Sequence, residues 1–237
     1  MKLYDGEIDK LKCMLTGYGA EKLPLIKEWE MTDKENLILK SEMAYELGGG
    51  SQMAVSAIAF TQDKELVTED AVYLVGDDLG SIRQDISYAR ITFIRLNEDY
   101  IRKHDDNALY ASMRAVDYVR YHAYPEGFMM RISSVREREP VRISREAVSQ
   151  GINFAAVGLG LINAYRKRPE VEAVNIYFVT DQSADYTFLK NEAHRCEQIT
   201  NSLNHIFNGL KMDCSTCSSR ELCDEIDGLR EFHQKLI

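Results

Sequence analysis

Nine residues, Val171-Glu-Ala-Val-Asn-Ile-Tyr-Phe-Val179, set the strongest limit on how this chain folds. The run is β-branched, aromatic and nearly continuous in its apolar character. An alternating strand leaves one face polar. A strand without that alternation is buried on both faces, which needs neighbours on either side and cover above and below. Long helical patterns flank it. Ser144 opens one that runs to Lys167, closed by Pro169, with Glu146 in its first turn where a carboxylate complements the helix dipole. A second runs from Gln182 to Asn208. Gly151, Gly158 and Gly160 weaken the first helix and mark tight packing against a sheet.

The part before this unit is richer in strands. Met53–Phe60, Ala71–Val75 and Tyr88–Leu96 read as strands, as do Phe128–Ser133 and Val141–Ile143 around a charged loop. Asp105–Tyr121 reads as a helix, with Leu109, Met113, Val116 and Val119 on one face. Gly48-Gly49-Gly50 fits a turn between strands; it fits a phosphate cradle only if a helix follows directly. The expected fold is α/β of mixed α+β character: a mixed sheet flanked by long helices, with a small helical, cysteine-containing C-terminal appendage. The expected division is an N-terminal segment (1–35), the α/β domain (36–208) and the tail (209–237).

A net charge of −9 argues against general nucleic-acid binding. The N-terminus has no signal-peptide pattern, and no apolar run reaches the length of a membrane span. Five cysteines in a spacing unlike a disulfide framework point to a reducing cytoplasm.

Two clusters carry chemistry. Cys214, Cys217 and Cys223 form C-x2-C-x5-C, a spacing from which thiolates reach one metal centre. The centre is expected to be an iron–sulfur cluster, with zinc as the alternative. Cys196 is the nearest candidate for a fourth ligand; Cys13 and His205 are others. Three unligated thiols are the plain alternative. The second cluster is Arg131, Arg136, Arg138, Arg142 and Arg145, in an otherwise acidic chain. Guanidinium groups match phosphate or carboxylate oxygens in a fork. Either they converge on an anion, or Glu137, Glu139 and Glu146 neutralise them as solvated pairs. No nucleophile–base arrangement stands out, and His122 reads as structural.

Ordered blocks carry a resemblance. They are Tyr45-Glu-Leu-Gly-Gly49, Leu74-Val-Gly-Asp-Asp-Leu-Gly-Ser-Ile82, Pro125-Glu-Gly127, Val141-Arg-Ile-Ser-Arg-Glu-Ala-Val-Ser-Gln-Gly151, and Val171–Val179 continuing through Thr180-Asp181. Together they resemble the middle domain of CO dehydrogenase/acetyl-CoA synthase, from about Asn36 to Asn204. The resemblance implies a mixed α/β unit whose arginine-rich surface faces the coenzyme A cavity. It maps Arg142 onto a family arginine and Arg145 onto a family lysine. Met129 stands where the family carries a tryptophan associated with coenzyme A; the only tryptophan here is Trp29. The nickel–iron–sulfur domain of the family has no counterpart in the blocks, and its nickel site uses wider spacings after C-x2-C. The expectation is therefore an accessory subunit or coenzyme A-binding module, not catalytic alone, in contact with other subunits of such a complex. The alternatives are a small iron–sulfur protein for electron transfer or metal delivery, and a non-catalytic scaffold.

Overall fold

The computed structural model describes residues 2–25, 29, 41–103, 108–123, 125–127 and 137–207. In chain order the elements are α1 (Asp5–Gly17), β1 (Glu21–Leu23), β2 (Ala44–Leu47), β3 (Ala54–Thr61), β4 (Ala71–Val75) and β5 (Tyr88–Leu96). They continue with α2 (Glu98–Arg102), α3 (Ala108–Val119), β6 (Val141–Ser144), α4 (Arg145–Ser149), α5 (Phe154–Arg166), β7 (Val171–Val179) and α6 (Tyr186–Phe207).

The main sheet has five strands in the order β1-β4-β7-β5-β3. The apolar run of residues 171–179 is its middle strand, as the lack of alternation requires. It pairs in parallel with β4 and antiparallel with β5, so the sheet is mixed. Every residue of β7 except Glu172 is buried. Helix α5 packs on β4 and β7, α6 on β3, and α1 on α6 and β3. Gly158 of α5 permits the closest of these approaches: a Cβ there would lie 2.3 Å from Val72 Cγ2. The rings of Phe154 and Phe178 stack beside it with centroids 4.4 Å apart.

A second sheet pairs β2 with β6, antiparallel, with Tyr45 opposite Ile143 and Glu46 opposite Arg142. The glycine turn, with φ of 75° at Gly48 and 54° at Gly50, leads from β2 directly into strand β3. No helix follows it, so the turn reading holds and the phosphate-cradle geometry is not formed.

Two sequence expectations need correcting. The long helix from Ser144 is two helices. Ser144 does cap the first, accepting from Ala147 N. At Gly151, however, φ is 91°, outside the helical range, and Asn153 starts α5 by accepting from Ala156 N. The N-terminal segment also holds a helix, α1, that the sequence reading did not predict. Ile8, Leu11 and Leu15, spaced three and four, form its buried face. With β1 on the sheet edge, this segment joins the common core. The expected strand Phe128–Ser133 lies outside the described residues.

Candidate anion-binding face and buried charge cluster

Of the five candidate arginines, three fall among the described residues, and β6 with its entry segment organises them. Arg131 and Arg136 lie outside. Arg142 sits on β6 directly opposite Glu46 of β2, and its Nε and Nη2 donate to the one Glu46 Oε1 at 2.8 and 2.7 Å. Both side chains are about one-fifth exposed, which strengthens the pair relative to a surface contact. Gly49 makes room for it: a Cβ there would lie 2.1 Å from Glu46 Oε2. Arg145 begins α4 and is exposed, with its guanidinium carbon 4.8 Å from the centre of the Tyr45 ring. Arg138 donates from Nη2 to the Gly48 carbonyl at 3.1 Å. The three cations thus surround one short stretch, Tyr45 to Gly48. One is matched by a carboxylate, one rests on a ring, and one is held by a backbone carbonyl.

The carboxylates expected to neutralise them have other partners. Glu146 Oε1 accepts from Gln150 Nε2. Glu137 Oε1 lies 2.9 Å from His194 Nδ1, which must carry the proton because a carboxylate only accepts. Burial pushes the Glu137 carboxyl up, but the His194 contact, a backbone hydrogen bond and the Arg120 charge outweigh it and hold it below the usual range. Glu139 is buried. Arg90 of β5 donates to both its oxygens at 2.8 Å, Ser56 Oγ of β3 donates at 2.8 Å, and Arg120 Nε lies 3.5 Å away. Arg120 in turn reaches Asp117 at 3.8 Å. Burial works against the Arg90 charge, but Glu139 more than offsets it and raises the guanidinium pKa. Nearby Tyr165 is pushed up to about 12 by burial.

This cluster was not legible in the sequence. Arg90 looked like one cation in a β-branched strand, and its partner is 49 residues away. Its consequence is positional. Ser56 N also donates to the Glu137 carbonyl at 2.9 Å, so residues 137–139 are fastened to the edge strand β3 by backbone and side chain together. Arg138 lies between the two fastened residues, and Arg142 follows on β6.

The proposed metal ligands Cys214, Cys217 and Cys223 lie outside the described residues. Cys196 lies within α6 and is 2% exposed, and burial pushes its thiol well above its ordinary pKa, favouring the protonated form. Cys13 is exposed on α1. Among the described residues no group of three or more His, Cys, Asp or Glu side chains is placed to hold a metal ion. His122 donates from Nδ1 to the Tyr118 carbonyl and stacks on the Tyr118 ring.

The class defined here is a mixed α/β domain carrying a small two-stranded sheet beside which three arginines meet, with its arginine strand tied to the main sheet by buried charge. The chain belongs to the family of the CO dehydrogenase/acetyl-CoA synthase complex beta subunit, whose family model matches residues 31–184, more than half its length. No curated protein matches it. The matched span contains the whole of the small sheet, the Glu139 cluster and the central strand; α1, β1, α6 and the cysteine tail lie outside it. No described helix is long and apolar enough to cross a membrane.

Proposed function

We propose that the chain is a coenzyme A-binding accessory module of a CO dehydrogenase/acetyl-CoA synthase complex, working in the cytoplasm beside subunits that carry out the chemistry. One observation carries the reading: Arg138, Arg142 and Arg145 meet around Tyr45–Gly48, within the span that matches the family. Phosphate groups bind where guanidinium forks are already held in place, because little side-chain entropy is then lost on binding. Arg145 is the exposed member and makes the direct contact; Arg142 supports it from the pair with Glu46.

Calorimetry with coenzyme A tests this. Each charge-assisted bond contributes about 1.5–3 kcal/mol, so Arg142→Ala combined with Arg145→Ala weakens binding tenfold or more. Unchanged affinity in the double variant, or no binding by the parent chain, defeats the proposal.

A second reading rests on the C-x2-C-x5-C spacing: Cys214, Cys217 and Cys223 hold an iron–sulfur cluster, with zinc as the alternative, for electron transfer or metal delivery in the same complex. Anaerobically prepared protein is expected to contain iron and acid-labile sulfide, and Cys217→Ser to lose both. Cys196→Ser then tests the fourth position. Recruiting Cys196 requires deprotonating a buried thiol, so retention of the cluster in that variant assigns the fourth ligand elsewhere. Metal at background level in the parent chain retires the reading.

A further inference from the structure

A cavity of about 290 Å³ lies along α3, where Tyr110, Arg114, Tyr118, Tyr121 and His122 meet Thr200 of α6. The coenzyme A reading makes no use of it. We propose that this cavity binds a phosphorylated nucleoside, with the base stacked on the Tyr118–His122 pair and the phosphate on Arg114.

The platform comes first. Tyr118 is 61% exposed, an unusual position for a large ring. Its ring and that of His122 are stacked, with centroids 3.6 Å apart and planes within 14°. The two residues are four apart, and His122 Nδ1 lies 2.8 Å from the Tyr118 carbonyl. A carbonyl only accepts, so Nδ1 carries the proton and the ring orientation is fixed. The result is a flat aromatic surface held at the solvent boundary, which suits stacking of a base with little ordering cost.

Charge decides between ligand classes. Three tyrosines and an aspartate would also suit an alkylammonium group. Here, however, Arg114 lies over the Tyr110 ring at 5.8 Å and Arg120 over the Tyr121 ring at 5.3 Å. Both rings already carry one of the protein's own cations, and a ligand cation would meet the like charge of Arg114, which lines the cavity. An anionic group is favoured instead, with exposed Arg114 at the cavity as its donor fork. Asp117 adds a carboxylate to the lining, and carboxylates accept from the exocyclic amine of a base such as adenine. The volume of about 290 Å³ lies just below the usual range for small-molecule sites, about 300–1,000 Å³, which limits the occupant to a small ligand such as a mononucleotide.

Titration of the full chain with adenosine 5′-monophosphate, adenosine and ribose 5-phosphate, followed by calorimetry, is the test. Adenosine monophosphate is expected to bind, and Tyr118→Ala to weaken it tenfold or more. Arg114→Ala weakens the monophosphate and leaves adenosine unchanged. Both side chains are exposed, so both variants are expected to keep the parent melting temperature. Arg142→Ala with Arg145→Ala leaves monophosphate binding intact, which separates this site from the arginine face; coenzyme A titrated into the same variants shows whether it too uses this cavity. The inference is overturned by no monophosphate binding up to about 1 mM, by equal affinity in Tyr118→Ala, or by loss in the Arg142/Arg145 variant alone.

Discussion

Glu139→Ala is expected to destabilise the chain by about 3–5 kcal/mol, the usual cost of removing one partner from a buried ion pair. The loss is large because of what remains. Arg90 and Arg120 are 2% and 4% exposed, and both rely on Glu139. Removing it leaves two buried cations with Asp117 as the nearby carboxylate, and Ser56 Oγ loses its acceptor. Domains of this size have about 5–15 kcal/mol in total, so the variant is expected to sit near the edge of folding. Urea denaturation measures the change directly, and each kcal/mol shifts the melting temperature by about 2–4 °C. The double variant Arg90→Met with Glu139→Leu separates charge imbalance from lost packing. It is expected to be more stable than Glu139→Ala, since it deprives one buried cation, Arg120, of Glu139 instead of two. A change of less than about 1 kcal/mol in Glu139→Ala would mean the cluster is solvated rather than buried.

The second large effect is at Gly76, where β4 ends. Its φ is 102°, a region L-residues rarely enter, and a Cβ there would lie 2.4 Å from Asp181 N and 2.8 Å from Asp181 Cα. Those are backbone atoms, fixed by hydrogen bonds from Thr180 N and Asp181 N to the Val75 carbonyl at 2.9 and 3.1 Å. A rotamer change cannot relieve the clash. Backbone strain of about 1–3 kcal/mol adds to an overpacking cost of similar size, so Gly76→Ala is expected to lose about 2–6 kcal/mol. Gly80→Ala is the matched comparison: it lies in the same family-like block, has no positive φ, and would meet nothing within 4 Å. Its effect is expected to stay within about 0.5 kcal/mol. Equal stability of the two variants would show that the ends of β4 and β7 are not locked together.

Function separates from stability at the arginine face. Glu139 and Gly76 shape the scaffold, and their loss is read in denaturation. Under the coenzyme A proposal, Arg145, which is exposed, is expected to show its loss in ligand binding with little change in folding. Arg142 is intermediate, because removing it leaves Glu46 without the partner that lies opposite it on the small sheet.

What the residues alone determined was local. The missing alternation of residues 171–179 placed β7 at the centre of the sheet, and Ser144 was legible as a helix cap, because both depend on chemistry within a few positions of each other. The five arginines and the tail cysteines were visible by composition and spacing, and the ordered blocks pointed to the family that matches residues 31–184. Tertiary structure decided the partners. Glu46 meets Arg142 across 96 residues, Arg90 meets Glu139 across 49, and Tyr4 meets Thr200 across 196. An isolated charge in a sequence carries no record of which opposite charge the fold brings to it, so local reading could only offer Glu137, Glu139 and Glu146 as one possible match for the neighbouring arginines. The fold instead set Glu137 against His194 of α6 and Glu139 against Arg90 of β5. The break at Gly151 has the same origin. Glycine lowers helix propensity without saying where a helix stops; the fold shows the break, with φ of 91° at Gly151 and a new cap at Asn153.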